Sequence, residues 1–323
     1  MTGADAVARR VTHADIARAA GVSRATVSYV LNNVKGKAIS STTQELVRRT
    51  AQELGHVPFA PARSLRLGRS NIVLAIVRDF GFGYVSNRVL RRLDAALASR
   101  GLLVLVHELD EQLRPSTDVW SLISPTLIVT MGGMVLPDDF VIDSTTTVVR
   151  VHGMVPQAEA GAMQVRHLIE RGHVVLGYAY PAGESVQLVA RERFAGARDA
   201  AEASGLPALD VRRIDVEDPA SVSRAVDQWW EASPRPTAVV AHNDEIALLV
   251  SSALTARGLR IPDDLAVIGI DDIPGARVGL TTVAIDVEAW SEAVVRRVLD
   301  ALDGAQTPAE APDYLRLAVR DST

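Results

Sequence analysis

Arg24, Ala25 and Tyr29 stand at a spacing that suits a helix lying against the edges of DNA bases. Arg24 can donate two hydrogen bonds to a guanine, Ala25 is small enough to touch a thymine methyl, and Tyr29 can donate one hydrogen bond. Around them Thr12, Ser23, Thr26, Asn32, Ser40 and Thr43 are short polar groups at helix starts, suited to phosphate contacts that set register without reading sequence. Each of these would also serve as an ordinary cap on a solvated helix face. Charge separates the two readings for the set. Residues 1–69 carry eleven arginines and lysines against four acids, a balance of +7, while residues 70–323 carry −12 and the whole chain −5. A basic head on an acidic body is the footprint of a DNA-binding module joined to something else.

The elements that would position these residues follow from apolar spacing. A first helix over 14–20 is capped by Thr12 and stopped by Gly21, and a second opens at Ser23 and buries Val27, Val30 and Leu31. A third follows Ser40 or Ser41, where Ser41 with Gln44 fits a capping box, and runs through Leu46, Val47, Ala51 and Leu54 to Gly55. Three helices with a short glycine-containing turn between the first two form a helix-turn-helix pattern. Beyond them, 62–68 reads as one short basic helix after Pro61, too short to hold alone in water and so conditional on a partner.

After residue 69 the texture changes. Short β-branched runs at 72–77, 102–106, 127–131, 148–151, 174–178, 238–241 and 265–270 alternate with amphipathic stretches at 88–99, 161–171, 193–203, 221–230 and 245–257. That alternation predicts parallel sheets with helices on both faces, and the length predicts two α/β lobes with a cleft between them.

Several classes are excluded. The chain has 323 residues and no cysteine, which removes disulfides, thiolate metal sites and a cysteine nucleophile together. Its seven histidines show no ligand spacing, no Walker A or G-x-S-x-G motif occurs, and Gly81–Ser86 is a G-x-G-x-x-G lacking its last glycine. Neither an enzyme nor a cofactor or metal is expected. No run reaches the ~20 apolar residues of a membrane span, and Met1 to Arg10 lacks the pattern of a secretory signal, so a cytoplasmic, membrane-free protein is expected.

The stretch 11–32, VTHADIARAAGVSRATVSYVLN, resembles the N-terminal signature of the LacI/GalR repressor family, and 54–58 with 62–65 resembles its hinge. The similarity continues in order through 190–196, 236–244, 267–274 and 280–283, while 79–145 matches poorly. The resemblance implies an all-α helix-turn-helix head (1–58), a hinge (59–69) and a two-lobed, periplasmic-binding-protein-like sensor (70–323). Lobe 1 would comprise 70–157 with 287–304, and lobe 2 158–286 with 305–323. It implies a homodimer on a near-palindromic operator in double-stranded DNA, repressing transcription under control of a small polar effector such as a sugar.

By the same resemblance Ala62 and Leu65 belong to the hinge, with Leu65 the wedge that kinks a base step in the minor groove. The effector-contacting positions would be Asp79, His152, Arg191, Arg193, Asn243, Asp271 and Asp286. An arginine, an amide and carboxylates donate and accept in fixed directions, which suits hydroxyl-rich molecules. The chain departs from the family pattern at His152, at Pro156-Gln157 and at Asp286, lacks an aromatic near Val216-Glu217, and is shortened between 109 and 147. Tyr29 also stands where many members carry arginine. The other reading is a DNA-binding regulator whose degenerate pocket senses no small molecule, or answers to a protein partner. The absence of a C-terminal leucine heptad predicts a dimer rather than a tail-built tetramer.

Overall fold

The structure is a computed structural model, and it describes residues 11–31, 34, 37–56, 70–77, 83–108, 122–131, 146–151, 154–183, 187–305 and 313–323. The chain divides into two compact units, Met1–Leu67 and Gly68–Thr323.

The first unit holds α1 (His13–Ala20), α2 (Arg24–Leu31) and α3 (Ser41–Glu53). Ile16, Val27 and Val47, one from each helix, are fully buried, and Ala17, Val30 and Ala51 complete the core. Thr12 caps α1 in a capping box: its hydroxyl accepts from the Asp15 N–H, and the Asp15 carboxylate accepts from the Thr12 N–H at 2.9 Å. Gly21 closes the helix at φ 66°. The capping box expected at Ser41 and Gln44 does not form. Ser40 is the cap, accepting from the Thr43 N–H, while the Gln44 amide donates to the Ile39 carbonyl at 3.0 Å. The helix starts one residue earlier than that pattern requires, so Ser41 is already inside it.

The second unit contains two sheets. β1 (Ile72–Val77), β2 (Leu103–Glu108), β3 (Leu127–Thr130) and β4 (Thr147–Arg150) form a parallel sheet in the order β2-β1-β3-β4. Helix α4 (Tyr84–Ala98) joins its first two strands. The chain then passes through α5 (Gln157–Glu170), β5 (Leu176–Pro181), α6 (Gln187–Ala203), β6 (Asp210–Ile214), α7 (Pro219–Glu231), β7 (Ala238–Ala241), α8 (Asp244–Ala256), β8 (Ala266–Ile270) and β9 (Thr281–Ile285). Helix α9 (Val287–Leu302) returns to the first sheet before β10 (Leu315–Ala318) adds antiparallel to β9. The second sheet is ordered β10-β9-β8-β7-β5-β6, parallel apart from β10.

Period-2 alternation sends Tyr178, Val240 and Ile268 to one face with Val165, Leu168 and Ala197 of α5 and α6. Ala179, Val239 and Val267 go to the other, with Trp229 of α7 and Val250 of α8. Both faces of this sheet are covered by helices, as the alternating texture predicts. β6 was not among the expected strands. Asp210-Val-Arg-Arg-Ile is an edge strand with alternating exposure, and its two arginines hide the apolar period.

Helix α9 packs on α4 through a seam that includes Leu93, Leu97, Val294 and Val298, all fully buried. Outside it run Arg88 to Glu288, Arg92 to Glu288 and Glu292, and Arg100 to Asp303 at 2.8 Å. Exposed pairs of this kind are screened by solvent and contribute little, so the buried seam carries the contact.

Candidate nucleic-acid face and ligand site

On α2 the buried residues are Val27 and Val30, so the opposite side of the helix turns outward. Arg24 and Ala25 are exposed there and Tyr29 is half-exposed, with the Lys37 ammonium 5.3 Å from its ring centre. Ser28, four residues after Arg24, shares this side and was not singled out in the sequence. The helix-start hydroxyls are partnered locally. Ser23 accepts from the Thr26 N–H at 3.0 Å, and the Ser40 and Thr43 hydroxyls are bonded at 2.8 Å. A hydroxyl that accepts as a cap keeps its own proton, which can be donated to a phosphate oxygen, so capping and phosphate contact are compatible. His13 stacks against His56 at 5.4 Å, and burial, helped by His56 and Arg24, pushes its pKa below the usual value. Asn32, Ala62 and Leu65 lie outside the described residues.

In the second unit the strand order reverses between β5 and β7, which is where open α/β sheets bind ligands, beyond the carboxyl ends of the strands. Arg193 reaches that point from α6. Its Nη2 donates to Asp271 at 2.9 Å, Nη1 to the His242 carbonyl at 2.8 Å and Nε to Gln157 at 2.7 Å, with the residue 5% exposed. The approach of α6 to α5 makes this reach possible. A Cβ on Gly161 would sit 1.9 Å from the Arg193 carbonyl oxygen, and one on Gly196 1.7 Å from that of Ala158. Only glycine lets the two helices come so close, which accounts for Gly196 three residues after Arg193.

Asp271 follows β8 at φ 114° and Asp272 at φ 53°, both in the region that L side chains adopt rarely. The Asp271 N–H donates to the Val283 carbonyl, and burial raises its carboxyl pKa while Arg193 opposes the rise. The Asp272 carboxylate turns the other way, to Arg320 at 2.6 Å, Arg277 at 3.3 Å and Arg316 at 3.7 Å. Asn243 is half-buried and caps α8: its Oδ1 accepts from the Ile246 N–H at 2.9 Å.

Asp244, the first residue of α8, is fully buried. It accepts from the Thr282 hydroxyl at 2.6 Å and the Ile273 N–H at 2.9 Å. Burial, and then the charge of Asp271, push its pKa up to about 7. Glu245 is also raised, by burial and by Asp271. His242 is held neutral by burial beside Arg193.

Of the expected effector residues, Arg193 and Asp271 are paired directly. Arg191 is exposed, two residues earlier on α6 and so ~200° round the helix from Arg193. Asp286 is exposed as the cap of α9, accepting from the Ala289 N–H at 3.0 Å. Asp79 and His152 lie outside the described residues. Gln157 was noted in the sequence only as a departure, and nothing in its local pattern announced that it would bond Arg193. Among the described residues no three histidines or acids converge on a metal site, and no helix is long and apolar enough to cross a membrane.

A three-helix head with an outward-facing second helix, joined to a unit of two parallel sheets with an ion pair at the switch point, defines a regulator built from a DNA reader and a ligand sensor. Comparison with known proteins agrees with that class. Residues 12–58 match the model for bacterial regulatory proteins of the lacI family, and residues 165–323 match the periplasmic binding protein-like domain. The chain is 31% identical over 290 residues to the HTH-type transcriptional repressor PurR of Vibrio atlanticus, covering 80% of this chain and 81% of that protein. It is 29% identical over 292 residues to PurR of Haemophilus influenzae, covering 81% and 82%.

Among solved structures, the lac repressor dimer bound to operator and the anti-inducer ONPF aligns with a TM-score of 0.76 at 22% identity, over 98% of this chain and 99% of that one. A lacI-family regulator from Silicibacter pomeroyi aligns with a TM-score of 0.78 at 22% identity, over 97% and 99%. The chain belongs to the lacI family of transcriptional regulators, which are DNA-binding proteins and not enzymes.

Proposed function

We propose that the protein is a cytoplasmic, homodimeric repressor that binds a near-palindromic operator through α2 and releases or tightens on it when a small polar molecule binds beside Arg193 and Asp271. The observation that carries the reading is the pairing of Arg193 with Asp271 at the β5/β7 switch point, in a chain whose other unit turns Arg24 and Ala25 outward. A dyad of heads matches a palindrome, since one small head buries too little surface for tight specific binding. Arg24, Ala25, Ser28 and Tyr29 would meet base edges, with Thr12, Ser23, Thr26, Asn32, Ser40 and Thr43 on phosphates. Ala62 and Leu65 would form the hinge that enters the minor groove.

The effector site is assigned to Arg193, Asp271, Asn243 and Glu245, and by resemblance Asp79, His152 and Asp286 would join it. Arg191 would sit at its margin. The Arg193–Asp271 pair is already satisfied internally, so a ligand gains most by adding hydroxyl or amine donors to the remaining carboxylate oxygens. Cellobiose appears bound to the regulator CelR in one solved relative in fold, and ONPF to the lac repressor in another, so glycosides belong in a test panel.

The experiment is a thermal-stability screen of the full chain against cellobiose, common mono- and disaccharides, nucleosides and nucleobases. An effector must stabilise the folded state by mass action. A hit whose stabilisation disappears in Asp271→Asn supports the reading. A panel that leaves the melting curve unchanged supports a regulator that senses no such molecule.

A further inference from the structure

We propose that Asp244 is the positioning residue of this site: through Thr282 and Ile273 it anchors the β8–β9 crossover, and that anchoring sets Asp271 against Arg193. The proposal rests on the effector-site reading above but concerns geometry that exists without a ligand.

The crossover between β8 and β9 runs from 271 to 280 without a helix, and its first two residues hold unfavourable positive φ angles. Such a conformation persists only where surrounding contacts over-determine it. On one side Asp272 is held by Arg320, Arg277 and Arg316. On the other, the Asp244 carboxylate takes the Ile273 N–H with Oδ2 and the Thr282 hydroxyl with Oδ1, tying the crossover and β9 to the first turn of α8. Asp271, whose N–H bonds Val283 beside Thr282, directly precedes the anchored Asp272 and Ile273.

The fold has made room for this carboxylate. A Cβ on Gly269 would come within 2.1 Å of the Asp244 Oδ1, so β8 carries no side chain at that point. The cap of α8 is Asn243, so capping does not account for the buried carboxylate beside it. The charged and titratable groups around Asp244 are Glu245 on its own helix, Asp271 and Asp272 on the crossover, and Arg193 with its neighbour His242. Arg320 meets it only through Asp272. Loss of the proton from Asp244 places a second negative charge beside Asp271, so the setting of the Arg193 pair responds to pH.

The test uses the full chain without any effector. The Nη2–H signal of Arg193, the hydrogen given to Asp271 and assigned by its disappearance in Arg193→Lys, is followed by nuclear magnetic resonance between pH 6 and 8. The parent is expected to show a protected signal that shifts with pH through a midpoint near 7, where burial and Asp271 place the Asp244 carboxyl. Thr282→Val and Asp244→Ala should lose that protection. Asp244→Asn can still accept from Ile273 and donate to Thr282, so it should keep the signal and make it independent of pH.

Because Asp244→Ala leaves a buried hole and can unfold, Thr282→Val and Asp244→Asn decide the matter, with circular dichroism confirming that both fold. A protected signal in Thr282→Val, or the same pH profile in Asp244→Asn as in the parent, overturns the proposal. If no small molecule ever alters operator binding, the effector reading fails while this assignment stands.

Discussion

The Arg193 guanidinium and the Asp271 carboxylate are 2.9 Å apart with side chains only 6% and 13% exposed, and each compensates a charge the other could not leave buried alone. The pair binds α6 to the end of β8, two elements separated by 78 residues. Removing one partner of such a pair costs far more than the pair contributes, typically ~3–5 kcal/mol. Asp271→Ala is therefore expected to lower stability by that amount in urea unfolding, and Arg193→Met/Asp271→Leu to recover most of it. A double variant as unstable as the sum of the two single ones would show that the charges do not compensate each other.

Gly196→Ala asks one helix to move. Its methyl would lie 1.7 Å from the Ala158 carbonyl oxygen, a backbone atom that cannot turn aside. Overpacking costs ~1–3 kcal/mol where the core can shift, and here the shift also draws Arg193 away from Gln157. Thermal unfolding should fall accordingly, and ligand-induced stabilisation should be lost with it. Unchanged melting would mean that the α5–α6 approach is looser than described.

Stability should also depend on pH through Asp244. Its carboxyl holds a proton up to about pH 7 in the folded chain, against an ordinary value of 3.8. Between those values the folded state binds more protons than the unfolded one, so this contribution is complete below the ordinary carboxylate range and is lost as pH rises through about 7. Urea titrations of the parent minus Asp244→Asn should show that falling slope. Asp271 and Glu245 shift in the same direction in both proteins, so the difference isolates what Asp244 adds, its coupling to Asp271 included. A difference that is flat with pH contradicts the buried-proton assignment.

Arg24→Ala should weaken binding to the cognate operator by ~1–3 kcal/mol and relax the preference at one base pair in each half-site. A phosphate-only arginine would weaken all sequences alike. Selection from random duplexes, run on the parent and the variant, separates the two: identical consensus sequences would remove Arg24 from the reading face.

Much of this was legible in the chain. Thr12 and Gly21 bound α1 because caps and left-handed stops are local chemistry, and the apolar runs at 72–77 and 238–241 became strands with the same bounds because buried parallel strands need no polar face. Ser41 with Gln44 misled because the adjacent Ser40 and Ser41 can each serve as the cap, and Ser40 is the one that does. β6 was hidden by its arginines.

At the site, Arg193 and Asp271 could be named from resemblance, but Asp244 and Gln157 could not be given their roles. Those roles arise between elements far apart in the chain, across 38 residues from Asp244 on α8 to Thr282 on β9 and 36 from Gln157 on α5 to Arg193 on α6. Asn243 shows the converse: a side chain read as a ligand contact has its carbonyl oxygen committed to capping.

The central claim is that a molecule beside Arg193 and Asp271 changes the grip of α2 on DNA. The most direct measurement is the affinity of the full chain for its selected operator, with and without the compound that stabilises it in the thermal screen, in the parent and in Asp271→Asn. Coupling between the two sites predicts a change of ~5–150-fold in the parent, and none in Asp271→Asn, which still binds the operator when no compound is present. An equal change in both proteins, or no change in either, would contradict the account.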